Sequence, residues 1–273
     1  MPMNQDSESG APTERTAEGS FQRTALVTGS AMGIGLSIAR RLASDGYSVI
    51  IADINAEAAE SAVADLKSAG LNAVFTPMDV GRPEAIAEAF RAIERDHGRC
   101  DVLVNNAGIA KTFPFLDFPY DNWVATMNIN VTGALLCSQH AARLMTRQGW
   151  GRIVNIASVA GERAVGHGRT AYGVSKAAII GLTRQMAAEL AELGVTSNAV
   201  APGPVSTPMT EVLHSAEFRA TYTAAIPAKR YGAPEEIAAA VSFLASEGAG
   251  YVNGVVLPVD GGFLAAGALP RQE

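Results

Sequence analysis

Tyr172 and Lys176 stand four residues apart in the stretch TAYGVSKAAIIGL, which has helical character, so both side chains leave one face. A phenol beside an ammonium can act as a proton-transfer pair. An unperturbed tyrosine titrates near ~10, too high for a base at neutral pH. A neighbouring positive charge favours the phenolate. Bringing the pKa to ~7 takes about 4 kcal/mol of differential stabilisation at 1.36 kcal/mol per unit. Ser158 lies 14 residues earlier in NIASVAG, at the end of a strand-like run, where ligand groups collect in open parallel sheets. Its hydroxyl could hold and orient a reacting oxygen.

A second cluster sits near the start of the chain. The run TALVT leads into Thr28-Gly29-Ser30-Ala31-Met32-Gly33-Ile34-Gly35, and an amphipathic stretch follows at once. Glycines at a strand-to-helix turn permit positive φ and a close backbone approach to a ligand. The helix N-terminus behind them offers free N–H groups and positive dipole character, which suits a pyrophosphate. The spacing is G-x-x-x-G-x-G, not the commoner G-x-G-x-x-G dinucleotide fingerprint.

The elements that would position these residues alternate along the chain. Short apolar runs at residues 24–28, 48–52, 73–76, 102–104, 153–156, 195–200 and 254–259 read as strands buried on both faces. Amphipathic stretches at 34–45, 56–69, 83–97, 122–148 and 172–193 read as helices. This alternation predicts an α/β fold, a Rossmann-type doubly wound parallel sheet of seven strands in three α/β/α layers. No composition break divides residues 23–265, so a single domain is expected. Residues 1–22 are polar and cannot bury enough apolar surface to offset their ordering entropy; they read as a disordered leader, and 266–273 as a tail.

The sequence resembles the short-chain dehydrogenase/reductase family. The resemblance is carried by TGSAMGIG at 28–35, Asn105-Asn106-Ala107-Gly108, Tyr172-x-x-x-Lys176, Pro202-Gly203 and Asp260-Gly261-Gly262, in the family's order. It implies a secondary alcohol and a ketone interconverted by hydride transfer at a nicotinamide, with Tyr172 as general acid/base. Ser158 would orient the substrate oxygen, and Asn130 would support a water relay to Lys176. Asn128, two residues away, would point elsewhere. For the cofactor, the resemblance places Gly29, Ser30, Met32, Gly33, Ile34 and Gly35 at the pyrophosphate turn. Asp79 and Val80 would flank the adenine, with Asn106 and Gly108 along the adenosine ribose. Pro202, Gly203, Val205 and Thr207 would lie at the nicotinamide end, with Tyr172 and Lys176.

Asp53 follows Gly35 by 18 residues, at the end of the second strand. A carboxylate there can accept from both ribose hydroxyls of NAD and would repel a 2′-phosphate. The glycine turn and residues 53–56 contain no Lys or Arg, so NAD is expected over NADP. An NADPH-dependent 3-oxoacyl-carrier-protein reductase is the specific alternative, which Asp53 disfavours. A dinucleotide-sensing protein without turnover is the alternative of another class. Such proteins commonly lose the tyrosine or the lysine, and this chain keeps both.

Residues 206–230 would form a substrate lid, with Met209, Val212, Leu213, Phe218 and Tyr222 as an apolar roof. The opposite wall, GERAVGHGR at 161–169, brings Glu162, Arg163, His167 and Arg169. This identifies the partner only as a small-molecule alcohol or ketone. Lys+Arg 21 against Asp+Glu 27, a formal charge of −6, and no basic cluster exclude a non-specific nucleic-acid binder. Apolar runs stay short of the ~18–20 residues that cross a bilayer, so no membrane partner is expected. Two cysteines without C-x-x-C spacing argue against a disulfide framework or a cysteine zinc site. Histidines at metal-ligand spacing on one helix do not occur, so no metal is expected either. A cytoplasmic protein is the reading. Small and apolar residues at Ala134, Leu135 and Ala141, and at Ala177, Ala178, Gly181 and Ala188, suggest helix pairing between subunits. With the family resemblance, they predict a homotetramer.

Overall fold

The computed structural model describes residues 22–213 and 215–266. The expected leader, apart from Gln22, and the tail, apart from Ala266, lie outside them, as do the side chains of Met209, Val212 and Leu213. Gln22 itself is tied to the fold: its amide donates to the Gly46 carbonyl and accepts from Asn72.

Seven strands form one sheet: β1 (Thr24–Thr28), β2 (Ser48–Asp53), β3 (Ala73–Pro77), β4 (Val102–Asn105), β5 (Gly151–Ile156), β6 (Val195–Pro202) and β7 (Val256–Val259). Every pairing is parallel, in the order β3-β2-β1-β4-β5-β6-β7. The direction of winding reverses between β1 and β4, which opens a crevice at the carboxyl ends of those strands. Continuous apolar runs form the central strands because both faces are covered: β1, β4, β5 and β6 are buried throughout, while the edges β3 and β7 are partly exposed.

Successive strand residues feed opposite layers. Val27, Ile51, Val104 and Val154 meet α1 (Gly33–Ser44) and α2 (Ala56–Ser68) through Ile38, Leu42 and Leu66. Their neighbours Leu26, Ile50, Leu103 and Ile153 meet α3 (Pro83–His97) and further helices through Phe90, Ile93 and Met145. The stretch expected as one helix over 122–148 is three pieces: α4 (Tyr120–Met127), a π turn over Asn128–Thr132, and α5 (Gly133–Gln148). After β5 comes α6 (Thr170–Leu190), then after β6 the short helices α7 (Pro208–Leu213) and α8 (Ala216–Ala225).

A further helix, α9 (Pro234–Ala245), packs beside α1 and was not among the predicted stretches. Its signals are in the sequence: Pro234 opens it, and Glu236 turns back so that its carboxylate accepts from the Ala233 N–H at 2.8 Å.

Polar side chains cross the sheet where the site will lie. The Asn105 amide donates to Ser138 Oγ on α5 (2.9 Å) and to Asn155 Oδ1 on β5 (2.8 Å). The Asn155 amide donates in turn to Thr183 Oγ1 on α6 (2.9 Å). Asn155 and Thr183 are fully buried, so the chain is sheltered from water and fixes β4, β5, α5 and α6 against one another. Asn155→Ala removes the middle link, and we expect a loss of about 1–3 kcal/mol in urea unfolding, more than a surface Asn→Ala control.

Candidate active site

One cleft of about 450 Å³ runs across the carboxyl ends of the strands, from Asp53 and Asp79 to Tyr172 and Tyr222. At its centre is the glycine turn. Gly33 has φ +59°, and a Cβ there would meet only Thr207, at 4.0 Å. The turn therefore leaves a groove that any side chain at this position would fill. Among the described residues no side chain caps α1, so the N–H groups behind the groove face it as donors for an anion. This cradle fits a pyrophosphate.

Gly35 lines the cleft too, and its smallness serves a further purpose. It lies at ordinary helical φ, and a Cβ would come within 2.3 Å of the Gly29 carbonyl oxygen, so its smallness lets the turn close on the helix. Ser30 is a correction. It is fully buried, its hydroxyl donating to the Val27 carbonyl and accepting from the Ala52 N–H, and it does not line the cleft. The Asn106 side chain clamps the turn through the Thr28 and Gly29 carbonyls (2.9 and 2.8 Å), while its residue still lines the cleft.

Gly29, Met32, Ile34, Asp53, Asp79, Val80, Gly108, Pro202, Gly203, Val205 and Thr207 all line the cleft as placed from the sequence. Asp53 accepts from the Ala31 N–H on one oxygen and the Asn55 N–H on the other, each at 3.0 Å. It does not cap α2, because Asn55 does that through Ala58. A carboxylate oxygen takes more than one donor, so both oxygens keep acceptor capacity toward the cleft. Ile54, Ile109, Ala110, Ile129, Val165 and Pro208 line it too and were missed. Most flank motifs already singled out, at strand ends or the loops after them, which is the signal that would have found them.

At the other end, Ser158, Tyr172 and Lys176 come together. Ser158 Oγ accepts from the Ala160 N–H at 3.1 Å, which leaves its own proton to donate. Lys176 is only 6% exposed; its Nζ donates to the Ile156 carbonyl at 2.6 Å and stands 5.7 Å from the centre of the Tyr172 ring. Burial pushes the ammonium down to about 8. The phenol feels an influence that the sequence does not show. Burial raises its pKa, against smaller lowering influences from hydrogen bonding with Ser158 and the charge of Arg169. Desolvation of the phenolate outweighs the nearby charges, so the tyrosine rests as an acid.

Asn130 sits behind this group rather than in the cleft, 2% exposed. Its Oδ1 accepts from the Ile109 N–H (2.8 Å), and its amide donates to the Ile109 carbonyl and to Ser175 Oγ (each 3.0 Å). The side chain is engaged in joining the β4 loop to α6. Asn128 does point elsewhere, donating to the Gly81 carbonyl at 2.7 Å. Of the polar wall, Arg169 reaches the cleft, whereas Glu162 and Arg163 are exposed and lie outside its lining. Of the expected roof, Tyr222 lines the cleft and Phe218 packs on it at 5.5 Å between ring centres.

A doubly wound parallel sheet with an anion cradle at its switch point and a tyrosine–lysine–serine group beyond it defines a dinucleotide-dependent oxidoreductase. The family profile described as enoyl-(acyl carrier protein) reductase matches residues 29–264. The 3-oxoacyl-[acyl-carrier-protein] reductase of Aquifex aeolicus is 42% identical over 241 residues, covering 88% of this chain and 96% of the relative. The 5-keto-D-gluconate 5-reductase of Escherichia coli is also 42% identical, over 245 residues, with 88% and 95% covered. The crystal structure of a gluconate 5-dehydrogenase from Burkholderia cenocepacia, in complex with NADP and tartrate, superposes with a TM-score of 0.86 at 37% identity, covering 90% of this chain and 96% of that one. The chain belongs to the short-chain dehydrogenase/reductase family. It is an oxidoreductase that interconverts a secondary alcohol and a ketone with a nicotinamide dinucleotide.

The buried ammonium makes a pH prediction. An unfolded lysine still holds its proton between pH 8 and about 10.4, where the folded Lys176 has lost it. The unfolded state then binds more protons, so this group adds stability as pH rises through that window. Without dinucleotide, we expect Lys176→Met to abolish a rise on the order of 2 kcal/mol between pH 8 and 9.5, read from urea unfolding of both proteins.

Proposed function

We propose that Tyr172 moves the proton, Ser158 orients the substrate oxygen and Lys176 holds the phenol in place, with Asn130 positioning α6 from behind. The observation that carries this reading is the convergence of the three side chains on one end of the cleft whose centre holds the anion cradle. When bound, the nicotinamide takes or supplies the hydride, that is, the carbinol hydrogen with its bonding pair. In ketone reduction the Tyr172 hydroxyl gives its proton to the oxygen that gains negative charge, and in alcohol oxidation the phenolate takes the hydroxyl proton. The raised pKa keeps the phenol protonated, as the donor that reduction needs. Ser158, whose hydroxyl hydrogen-bonds with Tyr172, turns its proton to the same oxygen when substrate binds. Lys176 keeps two N–H groups beyond its bond to Ile156 for oxygen acceptors in the cleft.

NAD is the preferred dinucleotide in this reading. Asp53 stands at the adenosine end, and among the described residues the cleft lining there carries no Lys or Arg. A carboxylate and one phosphate charge 4 Å apart repel by about 4 kcal/mol at an effective dielectric of 20. The NADP in the gluconate 5-dehydrogenase complex favours the second reading, an NADPH enzyme. The 3-oxoacyl-carrier-protein reductase alternative belongs to that second reading. The 206–230 segment acts as the lid, since Tyr222 stacks on Phe263 at 5.4 Å over the Tyr172 end.

We assign the enzyme to the cytoplasm and to a homotetramer. Leu135, Ala177, Gly181 and Ala188 are exposed on α5 and α6, although Ala134 and Ala141, expected with them, are buried inside the chain. A second apolar face, Phe243 and Tyr251 near the β7 edge, supplies the other contact that a tetramer with two kinds of two-fold axis needs. Light scattering that finds a monomer at micromolar concentration overturns this assignment.

Tyr172→Phe is expected to lower kcat about 10²–10⁴-fold on any accepted alcohol, with a much smaller change in NADH binding read by fluorescence. Unchanged turnover removes Tyr172 from the chemistry. In the same titration NADH should bind at least tenfold more tightly than NADPH, and Asp53→Asn should narrow that ratio about tenfold, equivalent to 1.4 kcal/mol. Tighter binding of NADPH by the unaltered enzyme decides for the second reading.

A further inference from the structure

The π turn over Asn128–Thr132 is in contact with elements at both ends of the cleft, and Asn130 accounts for one of them. At the other end the turn meets residues 79–82, the loop between β3 and α3, whose Asp79 and Val80 line the cleft. The loop is tight. The Asp79 carboxylate accepts from the Gly81 N–H at 2.9 Å, and the Asp79 carbonyl accepts from the Arg82 N–H at 3.1 Å. The Gly81 carbonyl accepts from the Asn128 side-chain amide at 2.7 Å. Space around this bond is small: a Cβ on Gly81 would meet Asp79 Oδ1 at 3.1 Å, Ile129 Cγ1 at 3.3 Å and Asn128 Nδ2 at 3.6 Å. Just past the π turn, a Cβ on Gly133 would come within 2.5 Å of the Val80 carbonyl oxygen. Residues 79–81 are therefore seated on the π turn from Asn128 to Gly133. The start of α3 gives them less support, since Arg82 makes no side-chain capping bond and Pro83 has no N–H to offer. Neither Gly81 nor Asn128 lines the cleft, so Asn128 can reach a ligand only through the loop it holds.

We propose that Asn128 is a positioning residue for the dinucleotide: by holding the Gly81 carbonyl it keeps Asp79 and Val80 set to receive the adenine. The proposal rests on the dinucleotide reading of the cleft, in which this loop flanks that base. The exocyclic amine of adenine is a hydrogen-bond donor. Asp79 uses one oxygen on Gly81, and a carboxylate has lone pairs to spare for a second donor. Such a contact forms well only where the acceptor is held to within about 0.5 Å. A loop without the Asn128 bond would have to be ordered by each arriving ligand, which weakens binding. The two asparagines of the π turn thus divide the work by direction. Asn128 sets affinity through the loop after β3, and Asn130 sets the geometry of proton transfer through Ile109 and Ser175.

The test compares the reduced dinucleotide with its hypoxanthine counterpart, in which a carbonyl acceptor replaces the amine donor of the base. Both carry the 2′-substituent that the enzyme prefers, and both are titrated by nicotinamide fluorescence. The unaltered enzyme is expected to favour adenine about tenfold. Asn128→Ala should weaken the adenine form about tenfold and the hypoxanthine form less than about threefold, so that most of the preference disappears. Asn128→Gln keeps the amide one carbon further out and should restore part of it; the same comparison is made on this variant if the alanine protein does not fold. In turnover, Asn128→Ala should raise the dinucleotide KM far more than it lowers kcat, whereas Asn130→Ala should lower kcat and keep the adenine preference. A loss shared equally by the two dinucleotides is what a merely structural role gives. That result, an unchanged affinity for the adenine form, or an equal loss of preference in Asn130→Ala overturns the role of Asn128. Failure of the reading beneath it looks different. Equal affinity for the two dinucleotides in the unaltered enzyme removes the adenine from the 79–82 loop, and binding of neither overturns the dinucleotide reading of the cleft itself.

Discussion

A lysine ammonium buried at the carboxyl end of the sheet is the constraint from which the site geometry follows. Removing such a charge from water costs several kcal/mol unless polar partners compensate. Lys176 has the Ile156 carbonyl at 2.6 Å and the face of the Tyr172 ring, and among the described residues no carboxylate forms an ion pair with it. Its pKa slides to about 8, which leaves the ammonium mostly charged at neutral pH yet easily relieved of its proton. That carbonyl is the last of β5, so α6 must cross the sheet where Lys176 can reach the strand end. Once it does, Tyr172 is carried one helical turn earlier on the same face, next to the Ser158 turn that follows β5. The position of the phenol is thus a consequence of satisfying the ammonium.

The polar groups behind the site keep α6 from shifting. A regular helix over 122–148 would sweep its side chains past the sheet at the usual 100° per residue. The π turn over Asn128–Thr132 inserts one extra residue, and Asn130 faces inward with all its polar atoms bonded to Ile109 and Ser175. Such turns cost hydrogen-bond geometry and tend to mark functional positions. Here the inserted residue ties the loop after β4 to α6 one residue before Lys176. The buried Asn105–Asn155–Thr183 chain does the same from the sheet side. Between them, α6 is held from the sheet and from the π turn.

The strands were readable because a two-sided parallel sheet demands unbroken apolar runs, and the observed bounds differ from the expected ones by a residue or two at most. The catalytic group was readable because its spacing on a helix is a local property. Side-chain direction was not. Ser30 sits inside a cofactor motif yet turns into the core, since its hydroxyl is needed by Val27 and Ala52 across the β1–β2 pair. The π turn escaped notice because apolar periodicity tolerates one inserted residue. Ala134 and Ala141 were read as outward for the same reason, and both face the core. The burial that raises the Tyr172 pKa without cofactor was not legible, because a sequence shows the neighbouring charge but not the depth of burial that opposes it. The helix α9 was missed although its proline start and Glu236 cap are plain in hindsight.

The chain carries −6 overall yet binds an anionic cofactor, and the distribution of its charges explains how. At physiological ionic strength the screening length is about 8 Å, so the net charge of distant surfaces is weakly felt inside the cleft. Local groups decide. At the anion cradle these are backbone N–H groups and the dipole of α1, which would hold two phosphates without any long side chain that needs ordering. Dipoles fixed in the backbone are already in place when the anion arrives, so they serve a ligand common to every turnover. The mouth near Tyr172 is built differently, with guanidinium groups stacked on a cluster of aromatic rings. Side chains of that kind can be exchanged without disturbing the sheet, so selectivity for one substrate over another belongs there, and the backbone cradle can stay the same while the mouth changes.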